Sequence, residues 1–250
     1  MGTMRALLPE AADEVDLHRH YSRHWLDTGG VRANFISSVD GAVTVTGLSR
    51  GLQTPGDNQV FAVLRDLADA VLVGAGTARL EGYAVVELSA RRRAIRREFG
   101  LDEALPTAVV SHSLQLDPAT GLFAADGPRT IVITRAAANQ SVRAQLEAVA
   151  DVLICGDEIV DLGAARLALA ERGLTRLLCE GGPTLFAGLA QAGLIDELCL
   201  TVSPQLAGPG AGRIIAGASW PLDMAGRNPL RLEGLLEEDE ALFCRYRLLS

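Results

Sequence analysis

Apolar and polar residues alternate along this chain in two rhythms. Positions 32–38 alternate every second residue, the pattern of a strand. Pro55 then opens a stretch with apolar residues at Val60, Phe61, Val63, Leu64 and Leu67 and an acid, Asp57, in its first turn. That combination predicts a helix. Positions 70–73 form a short apolar strand. From Thr107 onward, apolar runs at 108–110, 130–134, 152–154 and 176–179 read as strands, and 140–149, 161–172 and 183–192 carry helical spacing. Strands alternating with helices predict an α/β fold with a mostly parallel sheet covered on both faces. The end differs. Positions 197–202, 230–236 and 241–248 read as strands without a long helix between them. The acidic turn Glu237-Glu238-Asp239-Glu240 joins the last two, which predicts an antiparallel hairpin.

Residues 1–31 are polar and irregular and read as an arm or cap, with 32–250 as a single domain. There is no internal repeat and no low-complexity linker. The stretch 88–104 carries Arg91-Arg92-Arg93 and Arg96-Arg97 and reads as an exposed insertion with a solvated charged face. His20 and His24 have the spacing of a helix face, but no matching acid or Cys motif accompanies them. A solvated helix is therefore expected there, not a metal site.

Composition narrows the function classes. The chain has 250 residues, 48% of them hydrophobic, enough for a full core. No apolar run reaches the roughly 18 residues of a membrane span, and no basic-then-apolar leader opens the chain. A net charge of −8 argues against a nucleic-acid partner, which needs a basic footprint. The chain contains no Lys, so every side-chain cation that stays charged at neutral pH is Arg and a Lys Schiff base is excluded. Cys155, Cys179, Cys199 and Cys244 form no CxxC pair, which points to free thiols, a cytoplasmic location and no zinc.

The richest stretch is Leu177-Leu178-Cys179-Glu180-Gly181-Gly182-Pro183-Thr184-Leu185-Phe186. An apolar strand ends in an acid, two glycines and a proline, and a helix begins. Proline suits the first helical position, glycine lets backbone approach a ligand, and the first-turn N–H groups make an anion site. Glu180 sits at a strand's carboxyl end, where open α/β sheets bind ligands. A second glycine-rich turn, Gly74-Ala75-Gly76-Thr77, follows the 70–73 strand. It lacks the Rossmann GxGxxG spacing. Thr77 either bonds a cofactor or caps the short segment that follows.

Three segments, in order, carry a family resemblance: Asn34-Phe35-Ile36-Ser37-Ser38-Val39-Asp40-Gly41, Val73-Gly74-Ala75-Gly76-Thr77, and Glu180-Gly181-Gly182-Pro183-Thr184-Leu185. The last continues into Leu194-Ile195-Asp196-Glu197-Leu198 and Ser203-Pro204-Gln205-Leu206-Ala207-Gly208. Together they resemble the reductase domain of bacterial riboflavin biosynthesis, from about Arg32 to the C-terminus. The resemblance implies a dihydrofolate-reductase-like three-layer fold, NADPH as cofactor and a homodimer. It places Thr77 and Glu81 at cofactor contacts, with Gly74, Gly76, Gly181, Gly182, Pro183, Thr184 and Leu185 forming two phosphate-side turns around one dinucleotide. The 2′-phosphate falls to Ser111-His112-Ser113 or to Thr134-Arg135, each following a strand.

It also places Asp40 near the substrate ring and Glu180, Ser49 and Arg65 at substrate contacts. Carboxylates suit a pyrimidine or pterin edge, which presents N–H donors, and Arg suits a phosphate. The implied reaction is hydride transfer from NADPH to C1 of the ribosylamino group of 5-amino-6-(5-phosphoribosylamino)uracil. Water, or Asp40 or Glu180 with a raised pKa, is the proton donor. The His-x-Glu and Pro-Cys-x-x-Cys motifs of the deaminase domain that accompanies this reductase in bifunctional relatives are absent, so a stand-alone reductase is expected. Two alternatives remain: a dihydrofolate or pterin reductase on the same fold, and a non-catalytic NADP-binding sensor.

Overall fold

A computed structural model describes residues 3–217 and 229–249. One ten-stranded sheet organises them. Its strands are β1 (Arg5–Leu8), β2 (Gly30–Ser38), β3 (Ala70–Gly74), β4 (Thr107–Val110), β5 (Thr130–Thr134), β6 (Ala150–Ile154), β7 (Arg176–Cys179), β8 (Glu197–Ser203), β9 (Leu230–Glu238) and β10 (Ala241–Leu248). The order across the sheet is β1-β9-β10-β8-β2-β7-β3-β4-β5-β6. From β8 to β6 every neighbouring pair is parallel; β8-β10, β10-β9 and β9-β1 are antiparallel. The predicted mixed sheet and C-terminal hairpin are both present. The hairpin turns on Asp239 and Glu240, each at positive φ, the conformation that matches strand twist in a two-residue turn.

Each inner strand feeds two cores by its period of two. Val31, Ala33 and Phe35 of β2, and Ala70 and Leu72 of β3, face α7 (Leu162–Ala170) and α8 (Pro183–Gln191). On the opposite side Val71 and Leu178 meet α3 (Pro55–Asp66), while Val73, Val109 and Val132 meet α4 (Ala75–Leu80) and α6 (Gln140–Glu147). The helix starts follow their caps. Thr54 accepts the Asp57 N–H ahead of Pro55, and Asp161 accepts the Ala164 N–H. No helix among the described residues is long and apolar enough to cross a membrane.

Three expectations need correction. Residues 3–31 are not merely an irregular arm. β1 pairs with β9, and α1 (Leu17–Ser22) and α2 (Trp25–Thr28) pack Tyr21 and Trp25 into the core. Trp25 donates to Leu67 O at 2.8 Å under a cation–π contact from Arg32 at 4.2 Å. The notional boundary at residue 31 falls within β2. Second, the Arg-rich stretch forms α5 (Ala90–Glu98), but not as a wholly solvated face. Arg96 is fully buried and donates to the carbonyls of Arg65, Asp66, Ala68, Asp102 and Ala104. Five donors on one planar group can satisfy several stray carbonyls at once, and a charge run in the sequence gives no sign of it. Third, the C-terminal hairpin, the last pair of strands in the chain and so expected to end the sheet with an open edge, does not end it, because β1 covers β9.

Candidate active site

The carboxyl ends of β2, β3, β4 and β7 open onto two adjoining clefts, of ≈ 640 Å³ and ≈ 620 Å³. Thr77, Leu80, Gly182 and Pro183 line both. The chain makes this junction from two glycine turns tied to each other: Gly74 N–H donates to Gly181 O at 3.2 Å. Gly181 and Gly182 have φ of +114° and +76°, a region that favours glycine. A Cβ on Gly182 would lie 3.2 Å from Thr77 Oγ1 and 3.7 Å from Gly74 Cα. Pro183 then starts α8, whose N-cap Gly182 brings no side-chain cap. The first-turn N–H groups of Thr184 and Leu185 thus lie at the wall of the first cleft with the positive end of the helix behind them.

Gly74, Gly76, Thr77, Ser111, Gly182, Pro183, Thr184 and Leu185 all line the first cleft. Gly181 and Glu81 instead line the second. Ser111 is buried, and its Oγ accepts the Leu114 N–H at 3.0 Å. Of the two strand ends expected at the 2′-phosphate, the one after β4 reaches this cleft through Ser111, His112 and Ser113. The one after β5 does not line it. Arg135 donates instead to the carbonyls of His112 and Glu158. Exposed Arg79 lines the cleft and was not singled out from sequence.

The second cleft gathers Ser49, Arg65, Glu81 and Glu180 from four separate segments. The Glu180 side chain is fully buried and accepts Arg65 Nε at 2.6 Å and Arg65 Nη2 at 2.7 Å, with the Tyr83 hydroxyl at 2.9 Å. This is a bidentate pair, the strong geometry for Arg and carboxylate. Burial and the nearby Glu180 charge push the Tyr83 phenol well above its ordinary pKa. Burial works against the Arg65 charge, but the Glu180 bonds more than offset it, and its pKa rises. The Phe61 ring lies 4.4 Å from the Arg65 guanidinium. Ser49 donates through N–H and Oγ to Glu81 at 3.2 Å and 3.0 Å. The expectation that Arg65 stands free for a phosphate is therefore revised: two of its nitrogens hold Glu180.

Asp40 lies apart. It follows the end of β2 and lines neither cleft. Ser38 Oγ, Ala207 N–H and Gly208 N–H all donate to its carboxylate. Those bonds hold its pKa down at about 2, led by Ser38. A raised pKa for this group is thus corrected: the bonds favour the anion, which pins the loop after β8.

Two charged residues of the second cleft were not picked out from sequence as site residues. Arg50 is exposed there and makes no ion pair among the described residues. Asp57 is buried there, and burial raises its pKa, partly offset by a hydrogen bond with Thr201. Its only sequence signal is a first-turn acid, which fits any helix start.

The profile of the RibD C-terminal domain matches residues 30–231. A protein of Archaeoglobus fulgidus named 2,5-diamino-6-ribosylamino-4(3H)-pyrimidinone 5′-phosphate reductase is 32% identical over 176 residues, spanning 70% of this chain and 80% of its own. One of the same name from Methanothermobacter thermautotrophicus is 27% identical over 217 residues, spanning 85% of this chain and 95% of its own. A pyrimidine reductase-like protein from Corynebacterium diphtheriae superimposes with a TM-score of 0.82 at 27% identity, over 94% of this chain and 100% of that one.

Proposed function

The chain belongs to the RibD C-terminal domain family, and from that premise we propose that it is an NADPH-dependent reductase of a 6-ribosylamino-pyrimidine 5′-phosphate. The observation that carries this reading is the shared wall of the two clefts at Thr77, Leu80, Gly182 and Pro183. Hydride transfer needs two ligands end to end with their reacting carbons in contact, and most of the catalysis is that placement. The first cleft fits the cofactor: a glycine cradle that a Cβ would fill, an uncapped helix N-terminus for pyrophosphate, and Ser113, His112 and Arg79 at hand for a 2′-phosphate. When bound, the reduced nicotinamide supplies a hydride from its C4.

The second cleft holds the acceptor. Arg65 and Tyr83 fix the Glu180 carboxylate, Ser49 fixes Glu81, and Arg50 supplies a cation for the phosphate. Asp40 acts through the loop it pins. The ring is either the uracil read from sequence or the diaminopyrimidinone for which the relatives are named; both present C1 of the same ribosylamino group.

The test is turnover with both pyrimidine phosphates and with dihydrofolate, each with NADPH and NADH. The expected result is a kcat/KM for one of the pyrimidines at least about a hundredfold above dihydrofolate, since a site built to hydrogen-bond a ribosyl phosphate rejects a ligand without one. Faster dihydrofolate reduction makes the protein a pterin reductase. NADPH binding with no turnover on any acceptor makes it a sensor.

A homodimer is also proposed. Leu230, Leu232 and Leu242 are exposed on the C-terminal hairpin, and its cross-strand register puts them on one face with Tyr246 and Val202. Light scattering should give the mass of two chains; the mass of one chain contradicts the proposal. Four buried free thiols fit a reducing, cytoplasmic setting.

A further inference from the structure

We propose that the Asp57 carboxyl is the proton donor of the reduction, protonating the ribose ring oxygen as its bond to C1 opens. The assignment rests on the reductase reading above. Asp57 is the third residue of α3, and its N–H donates to Thr54 Oγ1 at 3.1 Å. In a capping box the acid at this position reaches back to the N-cap N–H. Asp57 makes no such bond among the described residues. Its side chain lines the second cleft, 6% exposed, and Thr201 of β8 is its hydrogen-bond partner.

The charged and titratable groups around the cleft leave Asp57 without a cation. Arg65, two turns along α3, is held by Glu180. Glu180 at the end of β7 is occupied by Arg65 and Tyr83. Glu81 after α4 is held by Ser49. Arg50 is exposed and makes no pair with Asp57. From β9, Glu238 lies against the neighbouring Gly56, and burial raises its pKa too. Burial therefore favours the protonated form of Asp57 against the pull of Thr201 and of the α3 dipole. Of the carboxyls proposed near the acceptor, Asp40 is held as an anion outside the cleft and the oxygens of Glu180 are occupied.

The step balances. The exocyclic nitrogen's lone pair forms C1=N as the C1–O bond breaks. The departing electron pair goes to the ring oxygen, which takes the Asp57 proton. Hydride from a reduced nicotinamide adds to C1, and the C=N pair returns to nitrogen. One hydride and one proton enter, and Asp57 is reprotonated from solvent.

The experiment compares wild type with Asp57→Asn, an isostere that keeps an oxygen for Thr201. The expected loss in kcat is about 10²–10⁴-fold, with KM for the pyrimidine little changed. Wild-type kcat should fall as pH rises through the Asp57 ionisation, and this limb should vanish in the variant. Infrared spectra of the cofactor-free protein should show a protonated-carboxyl band persisting above the ordinary carboxylate range, lost in Asp57→Asn. If that variant does not fold, Thr201→Val should move the kcat limb to higher pH, because it removes the bond that favours the anion; an unmoved limb overturns the assignment. So does an unchanged kcat in Asp57→Asn, a change in KM alone, or absence of the band. A wild type inert toward both pyrimidines overturns the reductase reading itself. A normal wild type beside an unaffected variant overturns only the role of Asp57.

Discussion

Arg65→Ala is expected to lower the unfolding free energy by about 3–5 kcal/mol, because it strands a buried carboxylate. Glu180 has no exposed side-chain surface, and Arg65 supplies two of its three hydrogen bonds. The hydroxyl of Tyr83 remains as a neutral partner and cannot replace a cation. Reduction should be lost as well, since the Tyr83 hydroxyl alone does not fix the Glu180 carboxylate at the acceptor. A double variant separates the two effects. In Arg65→Met with Glu180→Gln the buried charge is gone, so denaturant unfolding should recover much of the stability while turnover stays absent. Chemical denaturation of Arg65→Met, of Glu180→Gln and of the double variant measures the coupling. Additive losses would mean that the pair does not act as a unit.

The second large effect falls on the cofactor. Gly182→Val should weaken NADPH binding by about a hundredfold or more, equivalent to about 2.7 kcal/mol. Two causes act together. At φ +76° a β-branched residue is strained, and its Cβ would start 3.2 Å from Thr77 Oγ1. Its methyls would also stand before the uncapped N-terminus of α8, where a phosphate must approach. Gly182→Ala should show a smaller loss in the same direction. Titration of NADPH against the folded variants reads both. Wild-type affinity in folded Gly182→Val would place the cofactor elsewhere.

The parts of the molecule legible in the sequence are those with a local cause. The βα alternation, the hairpin and the turn at Glu180-Gly181-Gly182-Pro183 each follow from spacing, and the two glycine turns meet because their strands differ by one place in the sheet. What stayed hidden depends on neighbours far along the chain. β1 is four residues long and becomes a strand by pairing with β9. Arg96 is buried because five carbonyls converge on it, and no local pattern announces that. Asp40 and Arg65 were readable as polar groups near a ligand site, but their partners were not. Ser38 with Ala207 and Gly208 turns one into a loop anchor, and Glu180 turns the other into half of an ion pair. Asp57 gave no signal beyond a helix start, since its burial comes from the cleft and from β8.

The central claim is that two ligands meet across the wall of Thr77 and Gly182 and that a hydride passes between them. Incubation of the protein with NADPH carrying deuterium at C4, separately on each face, and a 6-ribosylamino-pyrimidine 5′-phosphate tests it directly. The account predicts a ribityl product with one deuterium at C1, from one labelled face only. Product without label, or label appearing only in tetrahydrofolate when dihydrofolate competes, would contradict it.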